Sequence, residues 1–102
     1  MELRHLRYFV MVAEELNVSR AAARLHVSQP AISRQLHVLE DELGVKLFER
    51  LKTGIRLSEA GEVFVAHARD VLRRAKAAEE AMQKMSGAKT APLRVGYLAT
   101  AL

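Results

Sequence analysis

At 102 residues, half of them apolar, the chain is sized for one small domain with at most an appendage. The absence of cysteine excludes a disulfide framework and a thiolate metal site, and two tyrosines, three phenylalanines and no tryptophan against abundant alanine and leucine favour helices over a strand-rich barrel. The net charge of +4 does not by itself separate a DNA binder from any basic soluble protein, so the placement of the charges carries the information.

Apolar residues at Leu3, Leu6, Phe9, Val10, Ala13 and Leu16 follow the three-and-four spacing of one helix face, which predicts a first helix ended at Asn17. Ser19 is the expected N-cap of a short second helix through Leu25, with Ala22 and Ala23 on its inner side. Ser28 then caps a third helix over Gln29 to Leu43. Pro30 suits its first turn, where an N–H has no intrahelical partner anyway, Ile32, Leu36, Leu39 and Leu43 form the inward stripe, and Gly44 closes it.

Residues 45–57 change character. Val45, Leu47 and Phe48, a turn at Lys52-Thr53-Gly54, then Ile55 and Leu57 flanking Arg56 predict a small two-stranded hairpin. From Ser58 to Met85 there is no proline and only Gly61 interrupts, so one helix of about 28 residues and roughly 42 Å is expected. Residues 87–92 read as a small, polar hinge, and residues 93–102 as the first strand of a ligand-binding domain cut short, so the chain is expected to be a fragment. No apolar run approaches membrane-spanning length and the N-terminus lacks the apolar core of a signal peptide, which points to a cytoplasmic protein without a membrane partner.

Helices two and three, joined through Leu25-His26-Val27-Ser28, make a helix-turn-helix arrangement in which the second helix enters the major groove. At about 100° per residue, the quadrant opposite Ile32, Leu36, Leu39 and Leu43 carries Gln29, Pro30, Ser33, Arg34 and His37. Gln29 can pair with adenine N6 and N7 and Arg34 with guanine O6 and N7, Pro30 can touch a thymine methyl, and Ser33 can serve either base. Ser19 and Ser28, with the free N–H groups of their helix starts, are candidates to hold phosphates. Between Val18 and Val38 the chain carries Arg20, Arg24 and Arg34 and no acid, while Glu14, Glu15 and Glu40-Asp41-Glu42 lie outside.

The stretch Arg20-Ala21-Ala22-Ala23-Arg24-Leu25-His26-Val27-Ser28-Gln29-Pro30-Ala31-Ile32-Ser33-Arg34-Gln35 resembles the signature of LysR-type transcriptional regulators. Leu39-Glu40, Leu43-Gly44, Leu47-Phe48-Glu49-Arg50 and Leu57-Ser58-Glu59-Ala60-Gly61 follow in that family's order, so the resemblance covers residues 1 to about 65 closely and 66–91 by pattern. It implies a mainly α fold, a winged helix-turn-helix over residues 1–57 followed by a dimerisation helix over 58–86, reading an interrupted inverted repeat in promoter DNA. It further implies base contacts from Gln29, Pro30, Ser33 and Arg34 and minor-groove contacts from the wing residues Arg50, Lys52, Thr53 and Arg56, while Arg20 and His37 join Ser19 and Ser28 as backbone candidates on the residues' own placement.

Relatives usually form tetramers when full length and bend DNA. RNA polymerase is a candidate partner, activation a candidate outcome, and a small-molecule inducer is expected only for the domain beyond this chain. The first ten residues resemble most the branch regulating benzoate and catechol degradation. One departure from the pattern lies in Leu51-Lys52-Thr53-Gly54, where a basic residue expected at Thr53 is absent and Lys52 and Arg56 would supply the charge.

Phe64, Ala68, Val71, Ala75, Ala78, Met82 and Met85 recur at alternating intervals of four and three, an apolar seam that calls for a partner helix and fits a two-fold dimer on a palindromic site. Other readings of the same residues stay open at this point. Arg34 can pair with Glu40 or Asp41, Arg20 and Arg24 can be solubilising charges, and the seam can pack on a second domain. Ser33 and His37 lie one turn apart, but with no carboxylate placed to orient the histidine an enzyme is disfavoured. His5, His26, His37 and His67 have no metal-ligand spacing, so no metal or cofactor is expected. The rival class is a protein-interaction module in which the long helix acts and the small bundle supports it.

Overall fold

Three short helices, a hairpin and a long helix follow one another as α1 (Leu3–Glu15), α2 (Val18–Leu25), α3 (Gln29–Leu43), β1 (Phe48–Leu51), β2 (Gly54–Leu57) and α4 (Glu59–Met85). The computed structural model describes residues 1–87, and the hinge expected beyond Gly87 and the strand expected at 93–102 lie outside them. No helix among the described residues is long and apolar enough to cross a membrane.

The helix boundaries come from local backbone chemistry. α1 ends at Leu16, which takes a left-handed conformation (φ 51°) and donates its N–H to the Val12 carbonyl at 2.7 Å. Asn17, and not Ser19 as expected, caps α2: its side-chain oxygen accepts from the Arg20 N–H at 2.9 Å, so the helix starts at Val18. Ala22 faces inward as predicted, together with Ala21, while Ala23 is exposed and not on the inner side. His26 (φ 59°) closes α2, with Val27 N–H bonded to Ala22 and His26 N–H to Ala23, the reverse turn that swings the chain into α3. Ser28 Oγ accepts from Ala31 N–H at 3.2 Å and Gly44 (φ 73°) ends the helix, both as the sequence predicts.

Phe9 and Val12 of α1, Ile32 and Leu39 of α3 and Leu47 before β1 are fully buried, and Val65 and Ala68 of α4 join them. The Phe9 ring lies 5.5 Å from Phe48 and 5.3 Å from Phe64, centroid to centroid and tilted, so one side chain binds α1 to both the hairpin and α4. Truncating it to alanine would cost about 3–5 kcal/mol, as for any fully buried aromatic. Leu3 and Leu16 of the predicted stripe stand exposed, because the face that packs turns through Val12 instead.

β1 and β2 pair antiparallel, Phe48 with Leu57 and Leu51 with Gly54, around a loop of Lys52 and Thr53. Ser58 joins this hairpin to α4. Its hydroxyl donates to the Lys46 carbonyl at 2.6 Å and accepts from Gly61 N–H at 3.0 Å, while its own N–H reaches Leu47 O at 2.9 Å. The long helix therefore starts at Glu59, one residue later than expected.

Met1–Leu72 form one compact unit, past the boundary expected at residue 57, because α4 completes the core. Phe64 and Ala68, assigned from sequence to a dimer seam, pack within this unit instead, Ala68 with no exposure at all. A second unit begins at Arg73. Its described residues run helical to Met85, with Ala78, Met82 and Met85 exposed and Ala75 partly so.

Candidate nucleic-acid interface

The cap at Ser28, the proline at position 30 and the buried stripe fix the rotation of α3, and with it the direction of every polar side chain on the other side. Gln29, Pro30, Arg34 and His37 are exposed and Ser33 is half-buried. Arg34 has no hydrogen bond or ion pair among the described residues. Glu40, one candidate to engage it, is turned inward: its carboxylate accepts from the buried Leu47 N–H at 2.7 Å and stands 4.0 Å from Lys46 Nζ. An exposed guanidinium without an internal partner keeps its donors for bidentate pairing.

Gln29 is steadied. Ser19 Oγ donates to its Oε1 at 2.8 Å, which links the first turn of α2 to the first residue of α3. The carbonyl oxygen keeps a second lone pair and the amide both N–H groups, so an adenine edge remains within its chemistry. The cost falls on Ser19, whose hydroxyl is engaged with Gln29 and so orients a reader more directly than it holds a phosphate. Ser28 differs: its oxygen accepts the cap bond and its O–H stays available to donate to a phosphate.

The arginines of α2 divide. Arg20 is exposed and without a side-chain partner among the described residues, whereas Arg24 bonds Glu15 at 2.7 Å, a contact that raises the pKa of its guanidinium further. In the hairpin, pairing register puts Phe48, Arg50, Ile55 and Leu57 on one face and Glu49 and Arg56 on the other. Arg56 Nε donates to Glu49 Oε1 at 2.7 Å, so one of the two cations thought to replace the missing wing base is already engaged across the strands. Arg50, Lys52 and Thr53 remain exposed.

Two residues that organise this surface were not assigned to it from sequence. Buried His5 accepts the Glu2 N–H on Nδ1 at 3.1 Å and meets Gln35 Oε1 through Nε2 at 2.6 Å, joining α1 to α3. Glu40 fixes the entry to the hairpin. Ser33, His37 and Glu40 do line one cleft, but among the described residues no hydrogen bond joins them into a relay.

Residues 3–62 match the model of the bacterial regulatory helix-turn-helix proteins of the lysR family. The chain belongs to the LysR family. HTH-type transcriptional regulator TfdS of Cupriavidus pinatubonensis is 47% identical over 102 residues, all of this chain and 35% of that protein. ClcR of Pseudomonas putida is 46% identical over 100 residues, 98% of this chain and 34% of the relative. The chain thus spans about a third of the length of these LysR-family relatives. Among solved structures, the CbnR DBD bound to DNA superposes with a TM-score of 0.80 at 46% identity, covering 84% of this chain and 99% of that one. The BenM DBD with catB site 1 DNA gives 0.81 at 38% identity, covering 84% and 97%.

Proposed function

We propose that this LysR-family chain reads promoter DNA with α3 in the major groove, Gln29, Pro30, Ser33 and Arg34 meeting base edges while Arg20, Ser28, His37 and the wing residues Arg50, Lys52 and Thr53 hold the backbone or minor groove. The observation that carries this reading is Arg34, without a partner among the described residues, on an exposed polar face whose opposite side is packed in the core. CbnR and BenM, similar over most of the described residues, are solved with DNA, which supports it.

A binding role, not a catalytic one, follows from the same face and from relatives named as transcriptional regulators. The DNA site would be an inverted repeat, matched by a two-fold dimer through the exposed part of α4: Val71, Ala75, Ala78, Met82 and Met85. Tetramer assembly, an inducer, contact with RNA polymerase, activation of transcription and a cytoplasmic setting belong to the whole regulator in this reading.

The test is a titration of the chain against a promoter duplex and a random duplex over a range of salt. Affinity should fall steeply with salt on both and stay higher on the promoter by a factor of at least about a thousand. Equal affinity for the two duplexes would favour the interaction-module reading.

A further inference from the structure

A cleft of about 360 Å³ opens between α3 and the wing. Its walls include buried Val12 and Leu36 and half-buried Phe48 and Ile55, the last two reaching in from opposite strands. Its cations are Lys46 and Arg50, both exposed, with His37 and Ser33 contributed by α3. The one acid in the lining is Glu40, whose carboxylate is committed to the Leu47 N–H at 2.7 Å. Lys46 Nζ stands 4.0 Å from it with three-quarters of the side chain in solvent, a contact that holds a lysine only weakly. Arg50 has no side-chain partner among the described residues.

A DNA phosphate would satisfy the cations and leave the accessible parts of Phe48 and Ile55 facing water. A volume of a few hundred Å³ with aromatic and aliphatic walls and a few convergent charges is the form of a small-molecule site. We propose that this cleft binds an amphipathic organic anion, its apolar body against Phe48, Ile55 and Leu36 and its charged head between Lys46 and Arg50. Ser33, His37 and Arg50 also belong to the proposed DNA surface, so anion and duplex exclude one another. This second statement rests on the proposed function, whereas the first does not.

Anilinonaphthalene sulfonate is a suitable probe, with phenylnaphthylamine as its uncharged analogue. Amide chemical-shift mapping on the free chain should place the sulfonate at Ser33, His37, Lys46 and Arg50. The uncharged analogue, and the Lys46→Ala/Arg50→Ala double variant, should each weaken binding about tenfold, the loss of a charge-assisted contact. Arg7→Ala, on the exposed face of α1 and outside the lining, should change nothing. Shifts gathered at Val71, Met82 and Met85, or equal affinity for charged and uncharged probes, would overturn the site. A promoter duplex should displace the probe. Simultaneous binding would overturn the exclusion alone, and a chain that takes the sulfonate but no duplex would overturn the DNA reading while leaving the site.

Discussion

The carboxylate of Glu40, near the end of α3, accepts a hydrogen bond from the Leu47 backbone N–H at 2.7 Å, both groups buried. This bond crosses the turn at Gly44 and fixes where the wing begins relative to the recognition helix. Replacing Glu40 with alanine strands a buried N–H, at about 1–3 kcal/mol. Glu40→Gln keeps an acceptor and should lose much less. Urea unfolding midpoints of the two variants check this, and equal losses would show that charge and not acceptance matters.

Gly61 faces the same junction. A Cβ built there would fall on the Leu47 carbonyl oxygen, far inside van der Waals contact, because α4 approaches the backbone before β1 this closely. Gly61→Ala, a change that normally favours a helix by about 0.5–1 kcal/mol, should here destabilise by about 1–3 kcal/mol. Thermal unfolding decides the sign.

Much of this architecture is legible in the sequence, and its gaps have physical causes. The limits of α3 are readable because Ser28, Pro30 and Gly44 act locally, through caps and a missing N–H. The border between α1 and α2 is not, because Leu16 adopts a left-handed cap without being glycine and Asn17 and Ser19 are both good N-caps. The exposed face of α3 follows from helical rotation alone, so its members were readable, although whether Arg34 was free depended on where Glu40 turned. His5 and Gln35 meet across 30 positions and no local pattern announces them. The α4 seam shows which residues share a face, yet only the fold reveals that Phe64 and Ala68 are covered by their own chain.

The two wing arginines should separate in their effect on DNA. Arg56 is paired with Glu49 at 2.7 Å, while Arg50 has no partner among the described residues and shares the hairpin face of Phe48 and Ile55. Arg50→Ala should lower the slope of log affinity against log salt by about one, and Arg56→Ala by clearly less. Fluorescence anisotropy on a labelled duplex measures both, and a larger effect at Arg56 would reverse the assignment.

The Met1 amine and the Glu42 carboxylate, 2.8 Å apart, shift each other through their hydrogen bond, the amine above its ordinary 8.0 and the carboxylate below its ordinary 4.5. The raised amine contributes fully below its unfolded value and loses that contribution as pH climbs through its folded one. The lowered carboxylate contributes above its unfolded value and loses it as pH falls through its folded one. Between pH 4.5 and 8.0 the pair is fully formed, and being solvent-exposed it has a small effect. Glu42→Gln should flatten the Tm profile at both ends of that window, and an unaltered profile would mean the contact contributes nothing.

Base reading by α3 is most directly tested by selecting sites from a random oligonucleotide pool with the wild-type chain and with Arg34→Ala. The wild type should enrich a symmetric half-site pair containing a fixed guanine. The variant should lose preference at that guanine alone, at about 1–3 kcal/mol for the wild-type site, and keep the other positions. An unchanged base matrix, or an equal loss of affinity on every sequence, would show that Arg34 touches only backbone and that this face of α3 does not read DNA.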